Sequence, residues 1–423
     1  MRKFLSLAVM CSLALPAMAF AQDEEVVVEE EVVVEEEVAA EEPAPESTER
    51  AIDEQPEPPK VAADDMPGEA EEAHPMLDGL TWMAMASAFY RIDGYSGEGV
   101  RAGTYNILGY PYTQYNGFGL NFVGGMVQYT GEKFGVTVDL RWGTGAPLLT
   151  PLVPVKQGYV SWLPSDKVSI DFGFFDTIFG GEVADEWQNA NYTRGALYFL
   201  RQPFNHMGIR SAFAFTDTFG FTLMLTNGGV LGGTPVDNNE TPTIGWQFAI
   251  GTDAVGFYFG GQHGAANDND NKNWENFFDW VLSASAGIFT LVANGDYQLS
   301  PTAYAADPTV PTGGAFAYGH SLQLIFDASD KFSIGVRGEH LSGNEDFRNN
   351  YSGGDTGLVT ATLTLRYKPV EYLVLSLEGR GEWNTREIYF SRQATVDAMT
   401  GDLIPNKKQN YSAILGFTAF IGN

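Results

Sequence analysis

From Phe134 to Trp142 the chain sets Phe134, Val136, Val138, Leu140 and Trp142 on one side and Thr137, Asp139 and Arg141 on the other. A period of two held over a whole segment marks a β-strand whose two faces meet different surroundings. The pattern dominates from Trp82 onward. Val359, Ala361, Leu363, Leu365 and Tyr367 oppose Thr360, Thr362, Thr364 and Arg366. Leu373, Leu375, Leu377 and Trp383 oppose Ser376, Glu378, Arg380 and Glu382, and Phe332, Ile334 and Val336 oppose Ser333, Arg337 and Glu339. Strands in water-soluble proteins average about 5 to 6 residues. Strands of about 9 to 11 residues, apolar on one face and polar on the other, are what a tilted membrane crossing requires. The fold class expected is therefore all-β, a transmembrane antiparallel β-barrel.

The connections set the strand number. Tight turns are expected at Gly131–Lys133, Pro164–Lys167, Thr216–Phe219, Gly251–Ala254, near Ser285, Asp327–Lys331 and Lys368–Glu371. Between them lie long polar stretches at 92–116, 143–155, 176–206, 228–243, 263–275, 299–314, 341–357 and 384–408. Seven turns and eight loops join sixteen strands, with both chain ends on the turn side. A sixteen-stranded barrel leaves an aqueous channel, whereas an eight-stranded one is filled by its own side chains. Tyr129, Trp142, Trp162, Tyr367, Tyr372 and Trp383 near strand ends are candidates for interfacial girdles. The 48 glycines and the 29 Phe, 19 Tyr and 8 Trp suit such strands.

The first residues follow a different logic. Met1, Arg2 and Lys3 precede an apolar stretch from Phe4 to Leu15, then Pro16 and Ala19-Phe20-Ala21, the three regions of a secretory leader cut after Ala21, with Ala19 as second choice. Cys11, the only cysteine, lies in that leader behind Met10, which is not the small residue a lipoprotein leader places there. Residues 22–74 form an acidic low-complexity tail: 21 of the 54 acids fall between Gln22 and Glu72, against Arg50 and Lys60. Such composition cannot bury enough apolar surface to fold, so a disordered periplasmic tail is expected, its alternative role being to bind a basic partner or cations. The barrel occupies 75–423, and from Ala73 onward 33 acids face 20 bases.

The polar faces assign Asp139, Arg141, Asp171, Arg210, Asp279, Asp296, Arg337, Glu339, Arg366, Glu378, Arg380 and Glu382 to the lumen. Charges of both signs favour small polar molecules over apolar ones, and a slight excess of acids predicts a mild cation preference. For any single residue, cross-strand pairing is the competing role. The longest connection carries Asp176, Glu182, Asp185, Glu186, Arg194 and Arg201 among aromatics, and a loop of that length is expected to fold inward as a constriction, the alternative being a loop lying outside.

A family resemblance lies in the same region. Gln157-Gly158-Tyr159-Val160-Ser161-Trp162, Ile170 to Thr177, Gly180-Gly181-Glu182, Asn189 to Arg194, Pro203 to Arg210 and Leu225-Thr226-Asn227-Gly228 together resemble the OmpL-like putative β-barrel porin family over residues 156–228. The resemblance implies a channel of the bacterial outer membrane that passes small hydrophilic solutes by diffusion.

Other function classes find no footing. The five histidines, His74, His206, His263, His320 and His340, have no zinc-ligand spacing and no serine motif beside them, so neither catalytic residues nor a metal or cofactor are expected. Asn267 to Lys272 lacks the glycine and terminal glutamate of a calcium loop. An acidic surface without a basic stripe argues against nucleic acid. Outer-membrane lipid and small solutes are the expected partners, and monomer and homotrimer both stay open. The alternative function is a structural or adhesion barrel with a plugged lumen and a partner-binding tail.

Overall fold

The computed structural model describes residues 79–422 apart from 95–111, 113–115, 232–235, 238, 266–270, 301–314, 344–356, 392–393, 400 and 402–403. The expected leader and acidic tail lie outside the described residues, as does most of the Asn267–Lys272 stretch.

Sixteen strands account for nearly all regular structure. They are β1 (Leu80–Asp93), β2 (Asn116–Thr130), β3 (Phe134–Trp142), β4 (Val155–Ser165), β5 (Val168–Asp176), β6 (Asn205–Ala214), β7 (Phe219–Thr226) and β8 (Thr243–Gly251). There follow β9 (Val255–Ala265), β10 (Trp274–Ala286), β11 (Phe289–Ser300), β12 (Ala315–Ser329), β13 (Phe332–Gly343), β14 (Leu358–Val370), β15 (Leu373–Asn384) and β16 (Gln409–Gly422). Each strand pairs antiparallel with its sequence neighbours, and β1 pairs with β16 from Met83↔Gly422 to Asp93↔Ser412, so the sheet closes as a barrel. Closure leaves no edge, which is the condition for crossing a bilayer with strands, since lipid cannot satisfy a free N–H or C=O.

The alternation read from the sequence becomes two surfaces. On β14, Val359, Leu363, Leu365 and Tyr367 are exposed while Thr360, Thr362, Thr364 and Arg366 are buried. The exposed set would be a fault in a soluble protein and is the lipid face here. Trp142 and Trp383 stand outward at the loop end of the wall; Trp162, Tyr367 and Tyr372 stand outward at the turn end.

Seven connections are short and eight long, alternating along the chain. The β10–β11 turn falls at Gly287 and Ile288 rather than near Ser285. Gly287 adopts φ +58°, the left-handed geometry that glycine adopts without a Cβ clash, and this places the reversal there. Inside the barrel the connection between β5 and β6 carries a short helix, α2 (Ala196–Arg201), and the β3–β4 loop carries another, α1 (Ala146–Leu149). A hydrophobic cluster that includes Met85, Phe89, Phe122, Tyr192, Leu197 and Phe199 forms between this connection and the wall.

Candidate functional site

Asp139 and Arg141 on β3, Asp171 on β5, Arg210 on β6, Asp279 on β10, Asp296 on β11, Arg337 and Glu339 on β13, Arg366 on β14 and Glu378, Arg380 and Glu382 on β15 all point inward, none more than 9% exposed. Four further interior charges escaped the sequence reading: Arg91 and Asp93 on β1, Lys156 on β4 and Glu275 on β10. The same period of two marks Arg91 and Asp93, but their interior neighbours Met85 and Phe89 are apolar and blur which face is the lumen.

The interior charges are knitted together. Arg141 pairs with Asp139 and reaches Asp185 Oδ1 at 3.2 Å; Lys156 Nζ bridges Asp139 Oδ2 at 3.2 Å and Asp176 Oδ2 at 2.6 Å. Arg210 places Nε and Nη2 at 2.9 and 2.8 Å from Asp171 Oδ2. On the far wall Arg380 Nε meets Glu382 Oε1 at 2.8 Å, and Arg337 Nη1 meets Glu182 Oε1 at 2.6 Å. Charge-assisted bonds of this kind hold side chains in one geometry, which a water-filled pore would not otherwise do.

The β5–β6 connection, residues 177–204, crosses the interior and is bonded to the wall on almost every side. Near its start Ile178 O accepts Gln247 Nε2 of β8 at 2.6 Å and Gly181 N–H donates to Asn294 Oδ1 of β11 at 3.1 Å. Glu182 and Asp185 then take Arg337 and Arg141, and Glu186 takes Asn121 Nδ2 of β2 at 3.4 Å and Thr418 Oγ1 of β16 at 3.2 Å. Arg366 of β14 donates to the carbonyls of Trp187, at 2.7 Å, and Asn189. Glu378 of β15 accepts the backbone N–H of Tyr192 and Thr193 at 2.8 and 3.1 Å, and the Tyr192 hydroxyl lies 3.0 Å from Ser87 Oγ on β1. At the start of α2 the orphan N–H groups of Ala196 and Leu197 donate to the Glu339 carboxylate, each at 3.0 Å, an anion placed where a helix start favours one.

Arg194 is fully buried, its guanidinium 5.6 to 5.7 Å from the ring centroids of Phe199, Tyr112 and Phe122 and 3.5 Å from Glu186. Burial pushes the Glu186 carboxyl above its ordinary range, against the pull of Arg194. Burial likewise raises Glu182, which Arg337 only partly offsets. For Asp185 burial is overcome by the Arg141 and Lys156 charges, and its carboxyl is held below the usual range. Arg201, at the end of α2, is buried as well.

Two cavities of mixed polar and apolar lining lie beside the connection. One lies on the turn side of the connection, lined by residues including Gln128, Asp139, Lys156, Tyr159, Asp176 and Arg210. A second lies against Phe179, Glu182, Val183 and Tyr198. Among the described residues no group of three or more His, Cys, Asp or Glu side chains is disposed to hold a metal ion.

The family model described as putative beta-barrel porin-2, OmpL-like, matches residues 81–411, which is nearly the whole barrel. The chain belongs to the porin-2, OmpL-like family. This porin-2 barrel is similar in fold to the anion-selective porin from Comamonas acidovorans, with a TM-score of 0.55 and 9% identity over 81% of this chain and 99% of that one. It is also similar to OmpT of Vibrio cholerae, with a TM-score of 0.52 and 10% identity over 81% and 97% of the two chains. The outer membrane channel DcaP of Acinetobacter baumannii matches with a TM-score of 0.52 and 10% identity over 81% and 96%. No curated protein sequence matches the chain. Family and architecture together make the porin-2 barrel an outer-membrane protein of a channel family rather than of an enzyme family.

Proposed function

We propose that the barrel is a narrow diffusion channel for small hydrophilic solutes, filtered by the connection 177–204. The observation that carries this reading is the course of that connection: it bonds to ten strands and leaves a cavity lined by charges of both signs. In this reading Asp139, Asp171 and Arg210 line the path, and Glu182, Asp185, Glu186 and Arg194 shape the constriction. Facing charges orient a dipolar solute and penalise an apolar one. Among the described residues twelve buried acids accompany nine buried bases, which supports a mild cation preference. The long connections then face outside, and residues 22–74 lie in the periplasm after removal of residues 1–21. A homotrimer fits this reading and is tested by chemical cross-linking in the membrane.

How completely the connection occupies the lumen favours a second reading, a structural or adhesion barrel that passes no solute. Single-channel recording in a planar bilayer under a salt gradient separates the two. A channel gives open steps with a reversal potential of cationic sign, and deleting Asp176–Arg201 enlarges them. A correctly folded barrel that stays silent supports the second reading, and a deletion that leaves the steps unchanged removes the connection from the filter.

A further inference from the structure

Asp279 and Asp296 stand directly opposite one another on β10 and β11, both fully buried, with their carboxyl groups within hydrogen-bonding reach of each other. Asn294 Nδ2 donates to Asp279 Oδ2 at 2.8 Å and to Asp296 Oδ1 at 3.3 Å. The other two oxygens, Asp279 Oδ1 and Asp296 Oδ2, have no hydrogen-bond partner among the described residues, although Gly180 N–H and the Gln202 amide lie beside the two carboxyls. Among the described residues no base forms an ion pair with either carboxyl, in contrast to Asp139, Asp171, Glu182 and Glu382, each of which has its arginine.

Among the described residues the other elements packed around the pair bring no side chain that forms an ion pair with it. β9 presents Tyr258 and Gln262; β12 presents Ser321, Gln323 and, close to its turn, Asp327. β10 itself adds Glu275 towards its loop end. The connection brings Glu182, which is bound to Arg337, and Arg201, whose side chain passes Gly319 opposite Asp296 and whose Nη1 donates to Leu200 O at 2.9 Å. His206 of β6 is engaged with Thr177 Oγ1 at 3.1 Å. Two ionised carboxylates in contact and out of water are strongly unfavourable, and a shared proton resolves the conflict while supplying the missing donor.

The same asparagine ties down the connection. Asn294 Oδ1 accepts Gly181 N–H at 3.1 Å and Gln202 Nε2 at 2.6 Å, so both ends of the inserted connection meet on the residue that bridges the carboxyls. A Cβ on Gly181 would lie 3.0 Å from Val292 Cγ1 and 3.4 Å from Asn294 Cβ, which means the backbone rests on the wall there and keeps water off the pair. We propose that Asp279 and Asp296 hold one proton between them at neutral pH, and that this shared proton latches the connection 177–204 to the β10–β11 wall.

Loss of the proton to solvent leaves two adjacent negative charges with no cation, and water must enter to solvate them. Water reaches them only if Gly181 and Gln202 lift from Asn294. The inference rests on the channel reading for its electrical readout alone. The test is a spin label on Val183→Cys in the chain without residues 1–21, with bilayer conductance recorded in parallel from roughly pH 7 to 10. Wild type gains label mobility and conductance together as pH rises; Asp296→Asn, which keeps the hydrogen bond and removes the charge, loses that pH response and stays latched. Asp279→Asn gives the same result and serves if Asp296→Asn does not fold. An equal pH response in wild type and the asparagine variants, or a label that does not respond in wild type, overturns the proposal. A label that responds in a barrel that never conducts leaves the latch standing and removes the channel reading.

Discussion

Replacing Arg337 with methionine tests whether the interior connection is held by buried charge. Arg337 is 1% exposed and reaches Glu182 Oε1 at 2.6 Å, Thr193 O at 2.6 Å and Thr362 Oγ1 at 3.1 Å, with Glu339 at 3.5 Å from Nε. Glu339 keeps Arg380 at 3.9 Å and the N–H groups of α2, but Glu182 keeps only Gly195 N–H at 2.6 Å. Breaking a buried ion pair by removing one partner costs about 3 to 5 kcal/mol. The barrel need not bear that cost, because its sixteen-strand ladder is independent of Arg337's side chain. The connection bears it, and at 1.4 kcal/mol per factor of ten the ratio of seated to unseated connection falls by roughly two to four orders of magnitude. The expected result is larger and noisier single-channel steps from a barrel whose β circular dichroism and heat-modifiable gel mobility match wild type. Steps of wild-type size, selectivity and noise from a folded Arg337→Met barrel refute the reasoning.

The seating of the connection has a defined acid limit. Asp185 is held below its ordinary value, so its contribution is full above about pH 4 and is lost as pH falls through its folded value; Glu182 and Glu186, raised by burial, protonate first and do not weaken the seat. Trp187, stacked on Phe420 at 5.5 Å, reports the seat, and its fluorescence, taken as the difference from Trp187→Phe, holds from neutral to about pH 4 and changes below it. A change already under way near pH 6 contradicts this assignment. On the lipid face, Leu363→Arg places a charge at a 50%-exposed position in the middle of the apolar row of β14 and destabilises the barrel by about 2 to 4 kcal/mol in urea-driven release from vesicles. An unchanged midpoint means that Leu363 is not at membrane depth.

Much of the wall was legible because lipid and water impose opposite demands on alternate residues. On β3 the apolar and polar sets keep to their own sides, and on β14 and β15 Leu358 and Val374, near the strand starts, are apolar residues on the inward side, so strand, face and interior charge follow largely from the order of residues. The loops and turns were legible from glycine, proline and acidic stretches, with Gly287 shifting one reversal by about two residues. What stayed hidden arises from the connection. Met85 and Phe89 face inward on β1 because Tyr192 and Tyr112 fill the space beside them, and an apolar interior cancels the contrast that alternation relies on. The partners of the interior ions were hidden for the same reason. Glu182 and Arg337 lie 155 residues apart, and no local pattern relates them.

The positions of the anchors along the chain set an order of events during folding. Glu378 lies on the fifteenth strand and Thr418 on the sixteenth, yet both bind a connection that follows the fifth. Contacts of such long sequence separation form late. A partly synthesised or partly zipped barrel therefore lacks the anchors on its last strands, and its central connection is only partly fastened until β16 meets β1. Completion of the wall and closing of the passage become one event, so that an unfinished barrel is also a leaky one.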